Sequence, residues 1–275
     1  MSIDKFTNYL KQSRGFADNT VKSYTRAVKQ FQNAIDKDLE NADIEDIDWF
    51  VQHLLGKGNK PTTVNLKINA IKSYYSYIRR TTGEVNTILN RELLRIQQGK
   101  KREILTENEV KELLKGLDKK RLKAMISILF QSGLRIGELV DLNRENIEEK
   151  EEYVKIKVKK AKGKKTRYVY MDYYYYTYVK NYLKTHKETP VFISKFNKRL
   201  GKRQAMKDIK KAGKMIGKDI SPHDLRASCF TYLYQQGMDI YSIAEIAGHS
   251  NIQTTQRYIK ADEKTLSEKT LQAFK

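Results

Sequence analysis

The stretch Ser221-Pro222-His223-Asp224-Leu225-Arg226 carries several local instructions at once. Ser221 with Asp224 three residues on is a capping box, and Pro222 fills the first helical position, where its missing N–H costs nothing. A helix is therefore expected from here to Gln236, closed by Gly237. His223 and Arg226, three apart, share one face of its first turn, where the helix dipole also favours an anion. That combination is a phosphate site in miniature.

Working outward, a further helix is expected over Asp239 to Ala247, ending at Gly248, which puts His249 in the turn and starts another short helical piece over Asn251 to Tyr258. Upstream, Thr106-Glu107-Asn108-Glu109 is a second capping box, opening a helix through Lys115. The run from Leu122 to Gln131 reads as a helix ended by Gly133 in a left-handed cap, and Arg135 follows that cap. Tyr153 to Lys159 alternates Val/Ile with Lys, and Arg167 to Met171 is a second β-prone run. The two predict a hairpin whose turn is Lys160-Ala161-Lys162-Gly163-Lys164-Lys165.

Residues 1–96 hold no alternating segment. Val21, Tyr24, Val28, Phe31 and Ile35 repeat at steps of three and four, as do Val64, Ile68, Ile71, Tyr75 and Ile78 after Pro61, and Ile47 to Leu55 forms a helix between them. This predicts a small all-helical domain over 1–96, a basic linker over 97–104 and a second, α+β domain over 105–275. The whole is mostly α with a small β-sheet.

The 275 residues carry 54 Lys and Arg against 33 Asp and Glu, a net charge of +21 that favours a polyanionic partner. The excess is uneven: residues 1–99 hold 15 bases and 11 acids, and the remainder 39 and 22. Between 155 and 167 there are eight bases and no acid, a density suited to phosphate neutralisation. One cysteine, Cys229, excludes an intrachain disulfide, and scarce cysteine with four scattered histidines argues against a structural metal. The longest apolar run, Ala124 to Phe130, falls far short of a membrane span, and the N-terminus lacks a signal-peptide pattern. A cytoplasmic protein without a membrane partner is the expectation.

The order of residues now narrows the chemistry. Ser132-Gly133-Leu134-Arg135-Ile136-Gly137-Glu138-Leu139, the lysine-bearing turn, His223-x-x-Arg226, His249 and Tyr258 together resemble the tyrosine recombinase (phage integrase) family, with the simple two-domain Xer type the nearest match. The resemblance covers nearly the whole chain. It implies an all-helical core-binding domain and a catalytic domain closing as a clamp around DNA. It also implies catalytic roles for Arg135, Lys162, His223, Arg226, His249 and the nucleophile Tyr258, with Glu138 supporting Arg135. Lys162 is chosen over Lys164 because it precedes the glycine, although Ala161 stands where the family has a glycine.

The implied activity is site-specific cutting and rejoining of DNA strands through a 3′-phosphotyrosyl intermediate, without cofactor, ATP or metal. The charge a metal would bear falls to the guanidinium and imidazole groups. The expected partner is double-stranded DNA with short paired core sites, held by a homo-tetramer in which the C-terminal stripe Leu266, Leu271 and Phe274 docks in trans. Expected DNA contacts are Lys22, Arg26, Lys29, Lys67 and Lys72 on the first domain, Lys100, Lys101 and Arg102 in the linker, and Lys164, Lys165 and Arg167 in the hairpin. Mobile-element integration and Xer-like resolution both fit. A type IB topoisomerase shares the chemistry, and a helix-turn-helix regulator shares the charge.

Three features have plainer readings. The run Tyr173 to Tyr176 follows Asp172 as a helix cap and reads as a half-buried helical face. Trp49 is expected in the core. Cys229, mid-helix, reads as buried and inert.

Overall fold

Pro61 opens the longest helix of the first unit. Proline at the first position needs no hydrogen-bond partner, the 22-residue helix it opens offers a continuous apolar stripe, and Gly83 stops it in a left-handed cap at φ 81°. The computed structural model describes residues 2–96, 103–159, 166–249 and 251–256. Its chain divides into two units, Met1–Lys100 and Lys101–Lys275.

In the first unit, α1 (Ile3–Asn8) runs into a π-turn and is followed by α2 (Asp18–Ile35), α3 (Ile44–Gly56) and α4 (Pro61–Thr82). No strand occurs among its described residues. Val21, Val28, Phe31, Ile47, Phe50, Val51, Val64, Ile68 and Ile71 meet in one core, as their spacing requires. Tyr75 is buried among them and donates its hydroxyl to the Leu39 carbonyl at 2.7 Å, so no polar atom of the ring is stranded.

Trp49 is not in that core. Its side chain is 51% exposed and its ring stacks on His53, with centroids 4.9 Å apart. The reason is angular: at ~100° per residue Trp49 projects opposite to the stripe of Ile47, Phe50, Val51 and Leu54.

The second unit is built around α6 (Lys120–Ser132), preceded by α5 (Glu107–Gly116). Every residue from Ala124 to Phe130 is buried, so the longest apolar run of the chain is a helix covered on all sides. After α7 (Ile136–Asp141), strands β1 (Ile147–Glu149), β2 (Val154–Val158) and β3 (Arg167–Met171) form an antiparallel sheet in the order β1-β2-β3. The expected hairpin is β2 with β3, in the register Val158↔Arg167 to Val154↔Met171. The edge strand β1, three residues with two acids, has too little pattern to be read from sequence.

Then come α8 (Tyr173–Leu183), α9 (Lys202–Met215), α10 (Pro222–Gln235), α11 (Ile240–Ala247) and α12 (Gln253–Gln256). Asp172 caps α8, burying Tyr175 and Tyr176 and leaving Tyr174 outside. Both expected capping boxes form, at Thr106–Glu109 and Ser221–Asp224. Cys229 is buried and its thiol is pushed up to about 12 by that burial, so it stays protonated. Among the described residues no helix is long and apolar enough to cross a membrane.

Gly133 joins this architecture to the site. It caps α6 at φ 59°, and a Cβ there would lie 2.5 Å from Cε1 of Phe230 on α10. Left-handed backbone and steric room are thus demanded together. Gly133→Ala is expected to lower stability by about 2–5 kcal/mol, combining left-handed strain with overpacking. Gly237→Ala, at φ 92° but with nothing within 4 Å of its Cβ, should cost only the strain, about 1–2 kcal/mol. Urea midpoints of the two variants measure the difference.

Candidate active site

The carboxyl end of α11 presents backbone carbonyls with no partner inside the helix, and three arginines from three other elements converge on them. Arg167, the first residue of β3, donates Nε to the Ile246 carbonyl at 2.8 Å. Arg226, in the second turn of α10, donates Nη2 to Ala247 at 2.8 Å. Arg135, the cap of α7, donates Nη1 to Ala247 at 3.3 Å and Nη2 to Gly248 at 3.5 Å. Cations at a helix C-terminus also complement its dipole.

Arg226 is 1% exposed, although it is a charged side chain. Its Nη1 donates to the Gly133 carbonyl, and its guanidinium lies 4.7 Å from the centroid of the Phe230 ring one turn along. The left-handed cap at Gly133 therefore aims a carbonyl at this arginine as well as stopping α6.

Its Nη2 also meets Nε2 of His249 at 2.9 Å, while Nδ1 of His249 meets the hydroxyl of buried Thr255 at 2.9 Å. A guanidinium only donates, so Nε2 accepts and the proton sits on Nδ1. Burial lowers the pKa of His249, and Arg226, Arg135 and Arg167 lower it further, to about 4, against a weaker pull from Glu138.

Glu138 sits at the third position of α7 and reaches back to the Arg135 backbone N–H at 2.8 Å. Its Oε1 also accepts from Arg135 Nη1 at 3.2 Å. Burial pushes its pKa up, but Arg167, the Arg135 N–H and the two cationic charges outweigh that and hold it at about 2. The carboxylate is ionised throughout the physiological range.

Arg135, Glu138, Arg226 and His249 are therefore together. His223 stands exposed in the first turn of α10, ahead of the buried Arg226. Lys162, Lys164, Lys165, Tyr258, Lys100, Lys101, Arg102 and the stripe of Leu266, Leu271 and Phe274 lie outside the described residues. Among the described residues no group of three or more His, Cys, Asp or Glu side chains is gathered as a metal site would need.

The structure corrects Arg167. Expected at DNA, its side chain is 6% exposed and both Nη atoms fork onto Glu138 at 2.8 Å, which leaves the guanidinium turned inward. On the first unit, Lys22, Arg26 and Lys29 lie exposed along α2, as their spacing implied. Lys67 lies 6.0 Å from the Phe50 ring centroid, and burial together with Arg26 and Lys57 lowers its pKa. Lys72 is half-buried, and its ammonium donates to the Arg91 carbonyl at 2.9 Å, which ties down the segment after α4.

One cationic face escaped the sequence reading. On α9, Ala205, Ile209 and Ala212 are buried, and Arg203, Lys207, Lys210, Lys211 and Lys214 project from the opposite, exposed side. The signal was present as cations at helical spacing. Thr255 was also missed, because nothing local marks a threonine as the partner of an imidazole.

Known proteins resemble this chain over nearly its whole length. Residues 103–265 match the model of the phage integrase family, and residues 3–82 match that of the phage integrase N-terminal SAM-like domain. The tyrosine recombinase XerA of Pyrococcus horikoshii is 30% identical over 271 residues, covering 97% of this chain and 91% of that protein. A crystal structure of XerA recombinase aligns over 98% of this chain and 97% of its own, with a TM-score of 0.56 at 26% identity. The fold is also that of the Tn1549 transposon integrase solved in complex with transposon right end DNA, with a TM-score of 0.80 at 17% identity over the whole of both chains. The chain belongs to the phage integrase family and is a tyrosine site-specific recombinase, an enzyme of DNA strand exchange.

Proposed function

We propose that this recombinase works through a 3′-phosphotyrosyl intermediate formed by Tyr258. Its Oη bonds to phosphorus as the P–O5′ bond breaks, His223 takes the phenolic proton, and Lys162 supplies a proton to the departing 5′ oxygen. A 5′ hydroxyl from the partner strand then attacks the phosphotyrosine, so the ester's energy is kept and neither ATP nor a metal is called for.

The observation that carries this reading is the Ala247 carbonyl, which accepts from both Arg135 and Arg226. Two guanidiniums 91 positions apart in sequence are thereby held at one point beside His249, the arrangement a pentavalent phosphorane with doubled oxygen charge needs. An arriving phosphate oxygen competes for Arg226 Nη2 and opposes the field that keeps Nε2 of His249 bare. Nε2 then takes a proton from solvent and donates to the phosphate.

The substrate is double-stranded DNA with short paired core sites. Lys22, Arg26, Lys29 and Lys67 of the first domain and the lysine face of α9 contact its backbone, and a homo-tetramer forms on it through trans docking of the C-terminal stripe. The biological role is that of an Xer-like resolvase or a mobile-element integrase, and likeness to XerA favours the former.

Incubation with core-site DNA nicked beside the scissile phosphate should trap a denaturant-stable protein–DNA adduct that Tyr258→Phe abolishes. An adduct that survives the substitution would sink the mechanism. Relaxation of plasmid lacking any site, without exchange between two sites, would instead indicate topoisomerase-like action. For the α9 face, replacing Lys207, Lys211 and Lys214 with Gln should reduce the slope of log K against log salt by about 3, at ~0.9 per phosphate contact. An unchanged slope would remove α9 from the interface.

The His249 geometry also fixes a pH response in the free protein. Its folded pKa of about 4 lies below the ordinary 6.5, so between those values the unfolded chain binds a proton that the folded chain excludes. Stability is full above pH 6.5 and falls as pH drops towards 4. His249→Asn should flatten that part of the urea-midpoint profile, and an unaltered profile would contradict the half-buried neutral imidazole.

A further inference from the structure

Arg167 has more of its side chain committed to the site than a hairpin residue needs for folding alone. Its Nη1 and Nη2 lie 2.8 Å from the two oxygens of Glu138, and its Nε lies 2.8 Å from the Ile246 carbonyl. Its stem runs so close to Gly248 that a Cβ there would be 3.2 Å from Cδ and 3.3 Å from Cζ and Nε. The backbone of Arg167 is pinned by pairing with Val158. One side chain thus bridges β3, α7 and the end of α11.

Both things it holds are themselves holders. Glu138 orients Arg135 through the backbone N–H at 2.8 Å and through Nη1 at 3.2 Å. The end of α11 supplies the Ala247 carbonyl to Arg135 and Arg226 and carries His249 one residue beyond Gly248. Release of the Arg167 fork would free the Glu138 carboxylate to rotate and the α11 terminus to shift, and both would misplace groups that must meet one phosphate.

We propose that Arg167 is a positioning residue for strand cleavage, acting through Glu138 and the α11 terminus without touching DNA. This rests on the phosphotyrosyl reading above and deepens it. Lysine cannot substitute: it offers one charged point where the site uses a planar fork and a third, separately directed N–H. The usual inference from a base-rich turn, that every cation there meets phosphate, fails at this position because Arg167 follows the inward alternation of Val169 and Met171.

The test compares full-length Arg167→Lys and Arg167→Met with wild type. Single-turnover adduct formation at saturating nicked DNA should fall by about 10- to 100-fold, the scale expected for misplacing reacting groups by about an ångström. Affinity should stay within about twofold, with the salt slope unchanged, since one lost phosphate contact would lower it by about 0.9. Without DNA, the ring ¹⁵N spectrum of His249 should move from the Nδ1–H form towards a tautomer mixture. Val169→Ala, on the same buried strand face, controls for lost stability and should leave rate and spectrum intact.

A weaker affinity with a slope reduced by about one would make Arg167 a DNA contact and overturn the proposal. So would a rate within twofold of wild type with an unmoved His249 spectrum, or an equal rate loss in Val169→Ala. If wild type itself formed no adduct, the phosphotyrosyl reading would fail, while the His249 spectra would still decide whether Arg167 positions the α11 terminus.

Discussion

The second unit turns on a helix end. Eight residues of α11 leave their last carbonyls pointing away from the helix, and three guanidiniums from β3, α7 and α10 take them up. Each arginine belongs to an element that sequence alone could not bring near the others. The hydrogen bonds satisfy carbonyls that burial would otherwise strand, and they gather positive charge where the backbone dipole favours it. Glu138 offsets part of that charge. The remainder shows in His249, whose proton affinity is depressed by burial and then by Arg226, Arg135 and Arg167 in turn.

What could be read from the sequence was local. Gly133, Ser221 with Asp224, Pro222, Gly237 and Gly248 each encode a cap through their own backbone chemistry, and the structure uses every one. The residue order from Arg135 to Tyr258 carried the family because chemistry fixes residue type even where spacing varies. Arg167, Trp49 and α9 were misread or passed over for one reason: composition was weighed where projection was needed. Arg167 alternates with Val169 and Met171 towards the core, Trp49 stands opposite the stripe of α3, and the α9 cations stand opposite Ala205 and Ile209.

Thr255 and the short strand β1 belong to a different class of omission. Thr255 matters only because the turn after Gly248 brings Nδ1 of His249 within 2.9 Å of its hydroxyl. The strand Ile147–Glu149 exists because β2 offers an edge to pair with, in the register Ile147↔Ile156. Neither has a signature in its own residues; both are consequences of tertiary contact.

The way the arginines are held bears on the phosphate chemistry proposed for the site. Carbonyl oxygens orient a guanidinium without cancelling its charge, whereas a carboxylate does both. Ala247, Gly248 and Gly133 therefore fix Arg226 and Arg135 in place and leave their field available to an anion. Glu138, the carboxylate in the network, spends its full fork on Arg167 and reaches Arg135 mainly through the backbone N–H at 2.8 Å, its side-chain bond to that arginine being the longer one at 3.2 Å. Neutralisation thus falls hardest on the arginine turned inward. The desolvation of Arg226 is met on folding by carbonyl and ring contacts, and in the mechanism proposed above dipoles set in advance are worth more to a charged transition state than dipoles that must turn.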